Sequence, residues 1–244
     1  LYAMGYSGKE IEEMVLSQDW DDLFDDKPAR EELPYIEKQQ ISQYQLDFGV
    51  KEKVGLQLPM GLIEGQKVTL LFSRWTVPFS RQRDFSKLKI PFRCVAVDLV
   101  SGKEVVLKKG SLAKAMRSTI SIPSIFSPVE WGDSLLIDGG IVNNLPVDVV
   151  REMGAEIVIA VNVGTPLKKK QSLRSAVDIF EQAFNIPGFY REEQNVSASD
   201  ILITPDLQDF SSADFDTKKL LKIEQAGKVA ADKTLPDLIK LKTF

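Results

Sequence analysis

The 244-residue sequence contains no histidine and a single cysteine, Cys94. Without histidine, the chain cannot supply a Ser-His-Asp triad, a Cys-His pair or a histidine-ligated zinc centre. One cysteine excludes an internal disulfide framework and a cysteine-rich metal site, although it does not identify a cellular compartment. Any acid-base chemistry in this chain must therefore use carboxylates, lysines or tyrosines.

Long apolar runs and an excess of positive charge are also absent from the sequence. The longest apolar runs, such as 157–161, fall far short of the ~20 residues that span a bilayer, so no transmembrane segment is expected. The formal net charge is -4, from 31 basic and 35 acidic side chains. This balance provides no strong positive field, and nucleic acid is therefore not an expected partner.

The overall composition is that of an ordinary globular protein. Hydrophobic residues make up 43% of the chain and charged residues 27%, unlike disordered, fibrous or membrane proteins. A chain of this length can fold as one domain that buries roughly 70 to 75% of its unfolded surface. We therefore expect a single domain over residues 1–244.

Apolar, β-branched runs alternate with helix-like segments, which is typical of βα units around a largely parallel sheet. Residues 92–99, 104–108 and 135–138 are predicted strands, and the continuous apolar run 156–163 is typical of a strand buried on both faces. Alternating apolar and polar residues over 43–58 predict an antiparallel pair of strands. The pattern as a whole predicts an α/β fold.

Capping residues and proline mark the helix boundaries. Ser7 and Glu10 fit a capping box ahead of an amphipathic run. The segment 214–244 is rich in lysine, alanine, leucine and glutamate, and it is predicted to be a C-terminal helical segment of the domain, broken near Pro236.

The most informative part of the sequence lies between residues 118 and 146. It contains the segments STISIP (118–123), FSP (126–128), LIDGG (136–140) and NNLP (143–146). These segments resemble the patatin-like phospholipases, and more closely the bacterial members related to neuropathy target esterase. The resemblance covers nearly the whole chain, and its other segments are YAMGY (2–6), GLIEG (61–65), PFRCVA (91–96) and DFSSADF (209–215).

The resemblance implies a Ser-Asp dyad in which Asp138 is the catalytic aspartate. Gly139 and Gly140 support the motif through geometry, because glycine has no Cβ and allows another backbone segment to approach closely. A dyad suffices because the aspartate takes the serine proton as the new C–O bond forms, which requires no histidine. Without this context, Asp-Gly-Gly would more often be a solvated turn.

The family's other two motifs are a glycine-rich oxyanion loop and Gly-x-Ser-x-Gly at a strand-to-helix elbow, and the sequence contains neither. Leu1 to Gly5 are interpreted as the last turn of a helix without a start, since no capping residue precedes them. The resemblance places the serine about two helical turns before Leu1. We therefore expect a partial patatin-like three-layer α/β/α domain with a mostly parallel central sheet, missing its N-terminal strands.

Three other candidate site residues have simpler structural interpretations. Ser7 lies in Gly-Tyr-Ser-Gly, but the second glycine is one position early for an elbow, and a helix cap is favoured over a nucleophile. Cys94 lies within a strand, where a buried, inert thiol is expected. Asp98 ends this strand near the presumed active edge of the sheet, and a turn or cap is favoured over catalysis.

Charged clusters and aromatic residues leave further alternatives open. The aspartates within 19–26 lack the spacing of an EF-hand, so a solvated acidic loop is favoured over a calcium site. The lysines at 168–170 are interpreted as a solvated loop or as a point of transient contact with a membrane surface. Trp75, Phe79 and Phe126 line an acyl-chain cleft in one interpretation and fill the core in another.

The resemblance implies a lipid acyl hydrolase of the phospholipase or lysophospholipase type, acting on a lipid or phospholipid ester through an acyl-enzyme, with no metal or organic cofactor. The chain alone is expected to be inactive. An alternative is a non-catalytic fragment or lipid-binding module on a hydrolase fold. A nucleotide-binding domain is disfavoured because the sequence contains neither Gly-x-Gly-x-x-Gly nor a P-loop. Bacterial cytoplasm and cell envelope both stay open as compartments.

Overall fold

The structure is a computed structural model that describes residues 1–25, 49–51, 55–57, 61–164, 166–207, 210 and 214–241. The helices are α1 (Gly8–Leu16), α2 (Trp20–Phe24), α3 (Gln66–Thr76), α4 (Leu112–Ser118), α5 (Gly140–Asn143), α6 (Val147–Glu152), α7 (Ala176–Ala198) and α8 (Thr217–Lys240). The strands are β1 (Gly49–Lys51), β2 (Gly55–Gln57), β3 (Gly61–Ile63), β4 (Cys94–Asp98), β5 (Glu104–Leu107), β6 (Ser124–Phe126), β7 (Val129–Trp131), β8 (Ser134–Asp138), β9 (Ile159–Val161) and β10 (Ile201–Ile203). This mixture of helices and sheets confirms the α/β class.

The largest sheet in these ranges has the strand order β5-β4-β8-β7, and all of its pairs are antiparallel. The expectation of a mostly parallel central sheet is wrong for this sheet. The reason lies in its connections, because short turns can join only antiparallel neighbours. One turn joins β4 to β5 through Gly102, and the other joins β7 to β8 through Gly132, both glycines having positive φ.

Two other strand pairs are parallel, namely β3 with β6 and β9 with β10. Helix α7 connects β9 to β10, which is the crossover that a parallel pair needs. The βα organisation predicted from the sequence is therefore confirmed for this part of the chain. The antiparallel pair predicted over 43–58 is confirmed for β1 and β2, in which Val50 lies opposite Leu56; residues 43–48, 52–54 and 58 lie outside the described residues.

The strand β9 is shorter and less covered than its sequence indicates. The run 156–163 predicts burial on both faces, but only Val158 and Ala160 are buried, at 4% and 3% exposure. Ile159 and Val161 are 47% and 50% exposed. Because side chains alternate across a strand, one face of β9 packs on the cluster formed with α6 and the other stays open. The prediction of burial on both faces is wrong for the described structure.

The main hydrophobic core supports the antiparallel sheet. Phe85, Ala96 and Leu136 are fully buried, and burying one large apolar side chain stabilises the fold by about 1.5 to 3 kcal/mol. The buried members of this core are Met4, Phe85, Leu88, Ala96, Leu107, Leu112, Ala115 and Leu136. It therefore holds β4 and β8 together and fixes the strand that ends at Asp138.

The predicted caps and the C-terminal helix are largely confirmed. The Ser7 hydroxyl accepts from the Glu10 amide at 3.2 Å, and the Glu10 carboxylate accepts from the Ser7 amide at 2.7 Å. Ser7 is thus the cap of α1. Helix α8 runs through Pro236 without a break, so the predicted break is wrong: proline removes one donor, but the flanking turns keep the helix intact.

The length of α7 and α8 raises the question of membrane insertion. These helices have 23 and 24 residues. Within the described ranges, none of the helices combines the length and the apolar character that a bilayer crossing requires.

Candidate active site

Asp138 lies at the carboxyl end of β8, which is an inner strand of the antiparallel sheet. Its Cα is paired with that of Ala96 on β4, and its backbone N–H donates to the carbonyl of Ser121 at 3.0 Å. After Asp138 the chain turns at once into α5, and the Gly140 N–H donates to the Asp138 Oδ1 at 2.7 Å. The sheet therefore fixes the backbone of Asp138, and α5 fixes one oxygen of its carboxyl group.

Burial changes the acidity of this carboxyl group. Removal from water raises the pKa of Asp138 above the ordinary aspartate value, and the hydrogen bond from Gly140 offsets this only in part. A carboxylate with a raised pKa is a stronger base than an exposed aspartate. The environment of Asp138 therefore favours proton acceptance more than an exposed site would.

The two glycines after Asp138 are needed for space rather than for backbone conformation. Gly139 has an ordinary helical φ of -73°, but a Cβ placed there would lie 2.4 Å from the carbonyl oxygen of Val95. A Cβ on Gly140 would lie 2.9 Å from the Asn144 side-chain oxygen and 3.1 Å from Asp138 Oδ1. The turn thus sits directly against the backbone of β4.

A polar network lies behind this turn. Asn143, the last residue of α5, is 2% exposed; its Nδ2 donates to Glu104 at 3.3 Å and to Asp148 at 3.1 Å. Its Oδ1 accepts from Asn195 on α7 at 3.0 Å. Arg191, also on α7, bridges Glu104 and Asp148 at 2.6 and 2.5 Å. These five residues form what we call the Asn143 network, which joins β5, α5, α6 and α7.

The charged members of the Asn143 network are two carboxylates and the single guanidinium that bridges them. Burial disfavours the charge on Asp148, but hydrogen bonds from Arg191 and Asn143 outweigh it and hold the pKa of this carboxyl below its ordinary value. The hydrogen bond to Asp148 raises the pKa of Arg191, and Glu104 adds to this effect. Arg191 therefore favours the ionised form of Asp148, and it also pairs with Glu104.

Asp98 is not at the same edge of the sheet as Asp138. Because β4 and β8 are antiparallel, Asp98 lies opposite Leu136, at the other end of the paired stretch. Its carboxylate accepts from the Ser101 hydroxyl at 2.7 Å and from the Leu135 amide at 3.2 Å, and the Ser101 contact holds its pKa below the ordinary value. The turn role is confirmed, and the placement of Asp98 near the active edge is wrong.

Cys94 starts β4, and burial raises the pKa of its thiol to about 12. Because the thiolate is the reactive form, we expect the folded chain to react with a thiol-specific disulfide reagent at pH 8 at least ~100-fold more slowly than the urea-unfolded chain. Reaction rates in the presence and absence of urea test this. Equal rates would mean that the thiol is accessible and ionisable in the folded chain.

The other charged candidates have structural partners. Asp19 caps α2 by accepting from the Asp22 amide at 3.1 Å, so part of the predicted acidic loop is helical. Of the lysines at 168–170, Lys168 pairs with Asp178 at 3.0 Å near the start of α7. In the described ranges, no group of three or more acidic or cysteine side chains is arranged to hold a metal ion.

The aromatic candidates and two surface pockets do not extend the Asp138 site. Phe126 is 6% exposed and stacks against the guanidinium of Arg117, whose carbon lies 4.7 Å from the ring centre. Trp75 and Phe79 pack against separate hydrophobic clusters, so all three favour the core interpretation.

Pockets of about 340 and 380 Å³ lie beside α2 and between α3 and α4, and Asp138 lines neither of them.

Comparisons with known proteins connect this geometry to a family. The sequence model of the family described as patatin-like phospholipase matches residues 1–151, which is more than half of the 244-residue chain and includes Asp138.

Several curated proteins are similar to parts of the chain. An uncharacterized NTE family protein of Mycobacterium tuberculosis is 40% identical over 77 residues, covering 32% of this chain and 21% of that protein. A second one from the same organism is 42% identical over 59 residues, covering 24% and 10%. Patatin-like phospholipase domain-containing protein 7 of Mus musculus is 36% identical over 87 residues, covering 35% and 6%. The matches thus span about a fifth or less of the length of these relatives.

The matched residues 1–151 include β8, the turn that follows it and Asp138. The chain belongs to the patatin-like phospholipase family.

Proposed function

We propose that Asp138 is the general base of a Ser-Asp dyad in a lipid acyl hydrolase. The observation that carries the proposal is the buried carboxyl group of Asp138, which accepts from the Gly140 N–H at 2.7 Å and has a raised pKa. Residues 1–244, which contain it, belong to the family and include no histidine that could act as the base instead. Membership of the family supports hydrolysis of lipid esters. The Ser-Asp mechanism is what we propose in addition. We infer that the serine and the oxyanion donors come from residues that precede Leu1 in the parent protein.

The proposed reaction has two steps. The serine Oγ attacks the ester carbonyl carbon while the Asp138 carboxylate takes its proton, and that proton passes to the leaving alcohol as the C–O bond breaks. Water then attacks the acyl-enzyme, Asp138 takes a proton from the water, and the proton returns to the serine as the fatty acid leaves. In both steps the Gly140 N–H orients the carboxylate through Oδ1, which leaves Oδ2 for the proton.

Membership of the family indicates the chemical class of the substrate, but not a particular molecule. We infer a carboxylic ester of a lipid or phospholipid, processed at a membrane surface or from a micelle. A non-catalytic, lipid-binding role is the second candidate, because residues 1–244 contain no Gly-x-Ser-x-Gly. The two candidates differ in whether the parent protein releases fatty acid.

The test compares the parent protein with purified residues 1–244 on a short-chain fluorogenic ester and on phospholipid vesicles. We expect turnover by the parent and only background by residues 1–244, since losing even one oxyanion donor costs ~10² to 10³ in rate. Turnover by residues 1–244 that Asp138→Ala abolishes would place the nucleophile inside this chain. A parent that binds vesicles without releasing fatty acid would favour the lipid-binding role.

A further inference from the structure

Helix α7 contacts α5 along a single face. Gly188, Arg191 and Asn195 are spaced by three and four residues, so they lie on the same side of α7. A Cβ on Gly188 would lie 2.6 Å from the carbonyl oxygen of Gly140, which means that the backbones of the two helices touch at this point. Asn195 reaches the other end of α5 through its bond to Asn143 at 3.0 Å. Helix α7 thus holds α5 at both ends.

Helix α5 in turn places the donor that Asp138 receives. Gly140 is the first residue of α5, and its N–H lies 2.7 Å from Asp138 Oδ1. The Asn143 N–H donates to the Gly139 carbonyl at 2.9 Å, so the two ends of this one-turn helix move together. A displacement of Asn143 therefore changes the hydrogen bond at Asp138.

Arg191 is the residue on which the Asn143 network depends electrostatically. The side-chain amide of Asn143 contacts two carboxylates, those of Glu104 and Asp148. Two negative charges that share one small donor group repel each other. Arg191 binds one oxygen of each, at 2.6 and 2.5 Å. Without this cation the carboxylates would separate, and the two donor contacts of Asn143 would not both persist.

We propose that Arg191 is a positioning residue for Asp138, acting through Asn143 and α5 on the Gly140 N–H. Arg191 and Asn195 lie beyond the segment 1–151 that the family's sequence model matches, so the match assigns them no role. The link from Arg191 to the Asp138 carboxyl is a property of the folded chain. Only its consequence for catalysis rests on the proposed function.

The test uses residues 1–244 and two NMR measurements, the hydrogen-exchange rate of the Gly140 amide and the titration of the Asp138 carboxyl. In Arg191→Met we expect exchange about fivefold to tenfold faster, which corresponds to the loss of one net hydrogen bond. We expect the pKa of Asp138 to rise, because the Gly140 bond lowers it. The matched control is Arg151→Met, which breaks the Arg151–Asp200 pair, 2.5 Å apart, and should change neither quantity.

A neutral variant separates geometry from charge. Asn195→Ala removes the contact of α7 with Asn143 without changing any charge, and it should shift exchange and pKa in the same directions as Arg191→Met. Arg191→Lys, which keeps the charge but loses the two-pronged geometry, should give an intermediate result. The proposal is overturned if Arg191→Met and Asn195→Ala both fold and both keep the wild-type Gly140 exchange rate and Asp138 titration. If Arg191→Met does not fold, the same measurements on Asn195→Ala and Arg191→Lys decide the question.

The catalytic consequence is measured separately in the parent protein. There, Asn195→Ala should lower kcat for ester hydrolysis about tenfold with KM nearly unchanged, as expected when a general base is misoriented. The exchange rate of the Gly140 amide and the titration of Asp138 can be measured whether or not the protein hydrolyses an ester. A parent that hydrolyses no ester, together with altered Gly140 exchange in the variants, would refute the proposed function and leave the positioning link standing.

Discussion

Asp138→Asn in the parent protein is expected to lower kcat/KM for ester hydrolysis by at least about a hundredfold, since a positioned general base typically contributes ~10² to 10⁴. The loss can approach ~10⁴ to 10⁶, because the two halves of a dyad act as a unit. The amide oxygen of asparagine can still accept the Gly140 N–H, so the turn after β8 should keep its geometry. What disappears is the ability to take a proton.

The same substitution should leave stability unchanged or raise it at neutral pH. Burial raises the folded-state pKa of Asp138, so the folded state favours the protonated form. The stability that this group contributes is fully present below the ordinary aspartate pKa and is lost as pH rises through the raised value. Asparagine is neutral at every pH, so the melting temperature of the variant should gain on wild type as pH rises through this window.

Ester turnover and thermal melts of both proteins, measured from pH 4 to pH 8, test these two effects together. Wild-type activity should fall as the pH drops through the raised pKa of Asp138. We expect any change in the free energy of unfolding to be about 1 kcal/mol or less at neutral pH. A well-folded Asp138→Asn protein that keeps more than about a tenth of wild-type activity would remove Asp138 from the mechanism.

Gly139→Ala is expected to damage both stability and activity. The added Cβ would lie 2.4 Å from the Val95 carbonyl oxygen and 2.6 Å from its carbon, and both are backbone atoms of the neighbouring strand. The turn must shift to relieve this contact, which should lower the free energy of unfolding by about 2 to 3 kcal/mol. Since Asp138 moves with the turn, turnover by the parent should fall about a hundredfold.

Gly227→Ala is the matched control, because it makes the same chemical change in the middle of α8. Apart from the neighbouring backbone of α8 itself, the described part of the chain has no atom within 4 Å of the Cβ it would add. Alanine is also the better helix former, so stability should rise by up to about 1 kcal/mol. Denaturant titrations of residues 1–244 give both values. A Gly139→Ala chain as stable as wild type would show that the turn is not tightly packed against β4.

Local features of the fold could be read from the sequence because they depend on neighbours in the chain. The capping box of Ser7 and Glu10 and the strand that ends at Asp138 are of this kind. Sheet direction depends on distant partners: Ala96 pairs with Asp138 across 42 residues, and no local pattern encodes that. The exposed face of β9 has the same cause, because the covering of Ile159 depends on which elements pack nearby.

The candidate site shows the same division. Asp138 and its glycines were accessible through a short contiguous motif, whereas the Asn143 network was not. Arg191 and Asp148 are 43 residues apart, and Asn195 and Asn143 are 52 residues apart, so only the folded chain brings them together. The available signal was a glycine, Gly188, followed at helical spacing by the polar residues Arg191 and Asn195 on one face of α7. The meaning of this signal depends on the position of α5.

The most direct test of the dyad is covalent labelling of the parent protein with a fluorophosphonate, which reacts with a serine activated by a general base. We predict that mass spectrometry will find the label on a Gly-x-Ser-x-Gly serine outside residues 1–244. We also predict that Asp138→Asn will slow labelling at least about a hundredfold while the protein stays folded. A label on a serine within residues 1–244, such as Ser7, or an unchanged labelling rate in Asp138→Asn, would contradict the account.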